Sequence, residues 1–512
     1  MKPSQTRNVK KCASIRNNSV IVYPQQSPFD PSEAYPELES SHISGEPNQV
    51  YAQLRACFMD MQMDQPRMGT AEWSPFSDFI LPGNTVVVKP NLVLNTANPA
   101  IQSCTTTHPS LIRVVVDYAW KALRGNGRII VGDASAAEAN FEEIVQRTGI
   151  REMIETLQQR GVAVELRDFR AVKVTTENGI WTGEQHTDSV EQGQIVDLAE
   201  NSLFSIQAER YKNATLHGAG YDIDETNRHH HDLVQEYCVS QTILQADVVI
   251  SMPKMKTHRK AGFTCCLKNL VGINADKNYL PHFAMGSANV GGDEMPAIPL
   301  LNTVLMSTYN FLRRYVISCT WQWLGAPAAS LLRKLKNRVD PAPQPRNEDK
   351  GQTPAQDTDT DLAKWLHNKL SGQSVAAGAW AGNETICCMI LDLNRIFLCC
   401  DRNGCLKDKT DRKIFYVADG IESGMGNGPT HPTPVQVGAV AAGYNGLAID
   451  IALLNLFGID EDSITLYKRA KTHGFMRMDS EGDVLYNGHP ISRNDRFECE
   501  LIPPEGWDYR KL

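Results

Sequence analysis

The segment Val248-Val249-Ile250-Ser251-Met252-Pro253-Lys254-Met255-Lys256-Thr257-His258 begins as an uninterrupted apolar run and ends in cations and hydrogen-bonding groups. A run without polar alternation reads as a strand covered on both faces, as in a parallel sheet. Proline cannot continue a central strand, so the chain is expected to leave the sheet at Pro90, directly after Lys89. Three other segments repeat the pattern. Val86-Val87-Val88 runs into Lys89-Pro90-Asn91, Ile129-Ile130-Val131 into Gly132-Asp133-Ala134-Ser135, and Phe415-Tyr416-Val417 into Ala418-Asp419-Gly420. Ligands of open α/β sheets bind at the carboxyl ends of the strands. Four chemically equipped strand ends therefore predict one shared polar site.

Between these strands the spacing changes to a helical one. Thr107-His108-Pro109-Ser110 opens a helix whose apolar face is Leu111, Val114, Val115, Tyr118, Ala119 and Ala122, with proline at a first-turn position. Gly125-Asn126-Gly127 ends it before the strand at 128–131, which completes a βαβ unit. Further elements are expected as a strand at Ser19–Tyr23, helices at 47–61, 137–148 and 446–458, a strand at 162–166 and a β excursion at 169–201. The fold class is α/β: a largely parallel, three-layer arrangement with helices on both faces. Residues 1–79 join the main body, 80–299 form the first part of the α/β domain, and 362–512 form its second part and tail. Residues 300–361 are read as an inserted excursion, an aromatic and Arg-rich helical stretch followed by a Pro-rich polar linker at 339–361.

The chain has 512 residues, of which 42% are hydrophobic and 21% charged, ordinary for a globular protein. Its net charge of −8 and lack of a long basic run give no indication of a nucleic-acid partner. No window supplies the ~18 consecutive apolar residues of a membrane span. Residues 1–18 lack the apolar core of a secretory signal. The 13 cysteines include the adjacent pairs 265–266, 387–388 and 399–400 but no Cys-x-x-Cys, so there is no iron–sulfur or zinc-ribbon spacing. Buried thiols in a reducing compartment, and hence a cytoplasmic protein, are the expectation.

Each polar cluster has a plain structural reading beside its chemical one. Lys89 with Asn91 supplies a cation and an amide, or a lysine snorkelling at a strand end. Thr105-Thr106-Thr107-His108 precedes a helix N-terminus, where free N–H groups hold anions and hydroxyls also cap. His108 reads as a base, a ligand or a satisfied loop histidine. Asp133 and Ser135 either serve chemistry or cap a helix. Lys254 and Lys256 point the same way along an extended segment, beside Thr257 and His258 and upstream of Lys268-Asn269. Converging ammonium groups repel unless an anion or aspartates lie between them. Gly424-x-Gly426-Asn427-Gly428 is read as a turn after the last strand, matching neither a P-loop nor a dinucleotide fingerprint. His229-His230-His231 resembles a metal tract but reads as a polar loop.

Taken in order, these motifs resemble the family catalogued as domain of unknown function 362. They are Lys-Pro-Asn (89–91), Thr-Thr-His-Pro (106–109), Gly-Asp-Ala-Ser (132–135), the 246–258 segment, Cys-Leu-Lys-Asn-Leu-Val-Gly-Ile (266–273) and Asp-Gly-Ile-Glu-Ser-Gly-Met-Gly-Asn-Gly-Pro (419–429). The segments 276–282, 291–294 and 391–395 look like a bacterial subgroup that lacks the ferredoxin-type module of many relatives. The resemblance implies no general activity. A further likeness to lactate racemase-type proteins is one of fold alone, and the signature for their nickel-pincer cofactor is not evident.

The favoured expectation is an enzyme acting on a small anionic metabolite. Lys89, Lys254, Lys256 and Lys268 would clamp phosphate or carboxylate, helped by Asn91, Thr106, Thr107, Ser135, Thr257, Asn269 and the backbone at Gly426, Asn427 and Gly428. Asp133 and Asp419 would hold a divalent cation or act as bases, and His108 or His258 would move protons. The alternatives are a redox component served by a separate iron–sulfur protein, and a non-catalytic metabolite-binding module. Reaction class, cofactor and oligomeric state stay open. Because strand-end polar residues contribute little packing, replacing Asp133 or Lys256 by alanine is expected to remove function and spare the fold.

Overall fold

The computed structural model describes residues 12–38, 42–177, 180–187, 191–218, 222–299, 301–304, 307, 377–473 and 484–512. Apart from 301–304 and 307, the insertion and linker expected at 300–361 lie outside the described residues. The main sheet has eleven strands. They are β1 (Ala13–Asn17), β2 (Thr85–Lys89), β3 (Arg128–Asp133), β4 (Val164–Asp168), β5 (Val248–Ser251) and β6 (Lys254–His258). They continue with β7 (Gly262–Thr264), β8 (Lys413–Asn427), β9 (His431–Gly443), β10 (Val484–Tyr486) and β11 (His489–Pro490). The order is β11-β10-β1-β9-β8-β5-β2-β3-β4, with β6 paired to β8 and β7 to β6. From β4 to β8 all neighbours are parallel, whereas β9 and β1 add antiparallel pairs.

The β-branched runs form this sheet because both of its faces are covered. Val86, Val88, Ile129, Val131, Val248 and Ile250 pack on one side against α1 (Gln49–Asp60) and α3 (Pro109–Leu123). Helices α4 (Phe141–Arg147) and α5 (Ile150–Gln159) complete that layer. Val87, Ile130, Val249, Tyr416 and Ala418 face the other side, where α7 (Thr385–Cys399) and α8 (Gly446–Leu456) lie. Successive residues on a strand thus bury into opposite layers. Two shorter segments matter for the site: α2 (Pro99–Thr105) before α3, and α6 (Cys266–Asn269) after β7.

Beyond Pro253 the chain resumes at Lys254 as β6, parallel to β8. Two local expectations are corrected. Ser19–Tyr23 is not a strand; the strand is β1, just upstream, which lies inside the sheet between β9 and β10. Gly420, Gly424 and Gly426 do not form a turn after the last strand: β8 runs through them to Asn427 and pairs with β9, and the turn is confined to 428–430. Gly420 and Gly424 are closely packed, whereas Gly426 has open space around it and a φ of +75°. A Cβ on Gly420 would lie 2.4 Å from Met255 Cε and 3.0 Å from the Ala439 carbonyl oxygen, so a larger residue there would have to displace the Met255 side chain.

Candidate functional site

The parallel register brings the polar ends together. Ser251 is level with Lys89 on one side and Tyr416 on the other. Just past that level lie two buried ion pairs. Lys89 Nζ sits 2.7 Å from Asp133 Oδ1, and Lys254 Nζ donates to Asp419 Oδ2 at 2.9 Å. All four side chains are withdrawn from solvent.

Amide side chains join the Lys89–Asp133 pair to Lys256, and the backbone at Thr107–His108 carries the network on to Asp419. Asn269, at the end of α6, accepts from Lys89 Nζ and Asn91 Nδ2 and donates to Ser251 Oγ. Asn91 Oδ1 in turn accepts from Lys256 Nζ at 2.7 Å, and Lys256 also donates to the Thr105 carbonyl at 2.6 Å. Thr107 Oγ1 accepts from Asn91 N and donates to the Met252 carbonyl. Asp133 Oδ2 accepts from Leu92 N, and Ser135 Oγ donates to the Leu92 carbonyl. Asp419 Oδ2 also accepts from His108 N at 2.6 Å, tying the start of α3 to β8.

Charge is unbalanced in this network. Lys89, Lys254, Lys256, Lys268 and Lys277 gather around Asp133 and Asp419. Lys256 and Lys277 donate to uncharged oxygens only, Lys277 to the carbonyls of Ala134 and Asn274. Lys268 is partly buried and has neither hydrogen bond nor ion pair among the described residues. Burial drives the Lys256 and Lys277 ammonium groups down to about 7, and Lys268 to about 8, where neighbouring Lys260 and Lys89 add to the effect. Lys89 is lowered by burial as well, against the opposing pull of Asp133.

The histidines are held in neutral forms. His108 Nδ1 caps α3 by accepting from Ser110 N, and burial lowers the ring to about 4. His258 Nδ1 accepts from the backbone of Lys260 and Ala261, which leaves the proton on Nε2. Burial, then Lys268 and His282, push His258 well below its ordinary value. His282 is lowered by burial and by Lys260 and Lys268. Lys268, His258 and His282 thus share one electropositive region.

Of the sequence-derived residues, Lys89, Asn91, Thr107, Asp133, Ser135, Lys254, Lys256, Asn269 and Asp419 belong to this one network. His108 is attached to it through its backbone. Thr106 is a step away, its hydroxyl accepting from Gln102 Nε2. Gly426, Asn427 and Gly428 lie apart. Their groups bond to Thr257, Arg259, Ile502 and Glu505, and no hydrogen bond joins them to the lysines among the described residues. They fix the end of β6, and Thr257 belongs to that brace.

Asp133 and Asp419, expected to share a divalent cation, each have a lysine as counter-ion. Among the described residues the group with metal-like spacing is Cys265, Cys266 and Asp450. There the Asp450 carboxylate accepts from Cys266 N, Leu267 N and the Tyr467 hydroxyl, an arrangement that caps α6. His229 and His230 are satisfied by Glu225, Glu236, Gln235 and the Tyr279 carbonyl.

Sequence reasoning missed Lys277, His282, Ser251 and Gly272. Gly272 shows itself only in three dimensions, since a Cβ there would lie 2.0 Å from Asp133 Oδ1 and 2.7 Å from Lys89 Nζ.

The family profile described as Domain of unknown function (DUF362) matches residues 86–191 and 180–455. The chain belongs to that family. The matched span contains every residue of the lysine network. No curated protein matches the chain. A crystal structure of a Thermotoga maritima protein is similar at 11% identity, covering 72% of this chain and 51% of that one, with a TM-score of 0.22. This chain thus spans about half the length of that protein.

Proposed function

We propose that the lysine network binds a small phosphate- or carboxylate-bearing metabolite and acts on it as an enzyme, with Lys256 as the proton-transfer group. The observation that carries this reading is the excess of five lysines over two carboxylates, three of the lysines having no acidic partner among the described residues. Burying uncompensated charge is costly unless the group is neutralised or an anion balances it. An anion held by Lys268 at the open side would balance the cluster through charge-assisted hydrogen bonds. A buried lysine that titrates near neutrality can both give and take a proton at physiological pH.

The test is mass analysis of small molecules released from the purified protein, combined with thermal stability in phosphate against chloride at equal ionic strength. A released anion, or a rise in melting temperature in phosphate that Lys268→Met abolishes, supports the reading. Absence of both overturns it. Release of a ligand that the protein never converts would reduce the site to a binding module.

A further inference from the structure

The Leu391–Arg395 segment, singled out in the sequence, has no part in the lysine network. Asp392 is structural, accepting from Ser202, Leu203 N and Tyr237. Asn394 and Arg395 instead line a separate cavity of about 830 Å³ at the amino end of β8, between the second half of α7 and the start of α8. That volume is in the usual range for small-molecule sites.

We propose that this cavity is a second ligand site, for a phosphorylated small molecule with a planar ring, of the nucleoside phosphate class. Its lining contains Arg395, Lys407, Lys409, Arg412 and Lys413 against the single carboxylate of Asp408. Lys407 is drawn toward Asp401 at 3.6 Å, and the sum around the cavity is still strongly positive. The N-terminus of α8, at Asn445, Gly446 and Leu447, opens on the same space and favours negative charge there.

Two buried side chains point to a ligand independently of that charge. Arg412 is 4% exposed; its Nη1 and Nη2 donate to the Leu244 and Phe397 carbonyls, but its Nε has no partner among the described residues. Asn394 is 1% exposed; its Nδ2 donates to the Leu267 and Ile390 carbonyls, while its Oδ1 accepts nothing from the described residues. A buried donor and a buried acceptor left open in one cavity are met together by a molecule carrying both an anionic oxygen and a hydroxyl or amine. The wall also includes Phe79, Tyr416 and Tyr444. Tyr444 is 44% exposed while its inner side packs on Phe415, leaving aromatic surface for a planar ring.

Calorimetric titration of the full chain with ADP, and in parallel with adenosine, tests this. ADP is expected to bind and adenosine to bind far more weakly. The surface replacement Lys409→Glu with Lys413→Glu should weaken ADP roughly tenfold or more by reversing two cavity charges, with the circular dichroism spectrum unchanged. Lys256→Met, in the other site, should leave ADP affinity as it is. Failure of ADP to bind at millimolar concentration overturns the proposal. So does ADP binding that the double charge reversal leaves intact, or that Lys256→Met removes.

Discussion

Lys89 and Asp133 extend from adjacent parallel strands and meet 2.7 Å apart, both removed from solvent, with Gly272 packed directly over the pair. The contact makes Asp133 a structural counter-ion as well as a member of the candidate site. The expectation that its replacement would spare the fold is therefore corrected by its burial.

Asp133→Asn should destabilise the protein strongly. Removing one partner of a buried pair leaves the other charge uncompensated, which costs about 3–5 kcal/mol. The amide oxygen can still accept from Leu92 N, so the loss reports the charge and not that hydrogen bond. Urea denaturation measures it. A second change, Lys89→Met, should recover much of the loss; additive losses would show that the pair is not what matters.

Gly272→Ala should disrupt the same pair without touching either charge. The new methyl carbon would overlap Asp133 Oδ1 at 2.0 Å and crowd Lys89 Nζ at 2.7 Å. Either the four-residue turn at 270–273 shifts or the pair separates. A fall in melting temperature and in anion affinity together is the expected result, and wild-type values for both would contradict the packing described above.

Lys256→Met should separate stability from function. The ammonium is buried without an acidic partner, so an apolar side chain of similar length should leave the melting temperature unchanged or raise it. Anion binding should be lost. A destabilised but fully binding variant would place Lys256 in the scaffold instead.

Much of this was readable from residue order. The apolar runs at 86–88, 129–131, 248–250 and 415–417 are fully buried strands because both sheet faces are covered, which is what runs without alternation imply. Asp133 and Lys254 were found because polar residues at the ends of such runs converge in a parallel sheet. Which carboxylate each lysine meets was not readable, because pairing depends on register between strands far apart in sequence. Lys277 stands in the 276–282 segment that carries the resemblance, but its short 3₁₀ turn has no periodicity to mark it as a site residue. Gly424 and Gly426 read as a turn because glycine marks turns and strand interiors alike, whereas β8 continues through both and the turn begins at Gly428.

The depressed lysines make the protein's stability depend on pH in a definite direction. Lys256 and Lys277 titrate at about 7 and Lys268 at about 8 in the folded state, below the ordinary lysine value, so the unfolded chain binds more protons from about pH 7 upward. Stability should therefore rise between pH 7 and about 9, the reverse of a chain whose lysines gain carboxylate partners on folding. A bound anion favours the charged ammonium groups, so binding at pH 8 should take up protons and affinity should fall as pH increases. Calorimetry with phosphate in buffers of different ionisation enthalpy measures that uptake directly. Lys256→Met and Lys268→Met should each reduce it. Binding without proton uptake would mean that the lysines are already charged, and that something other than the anion balances them.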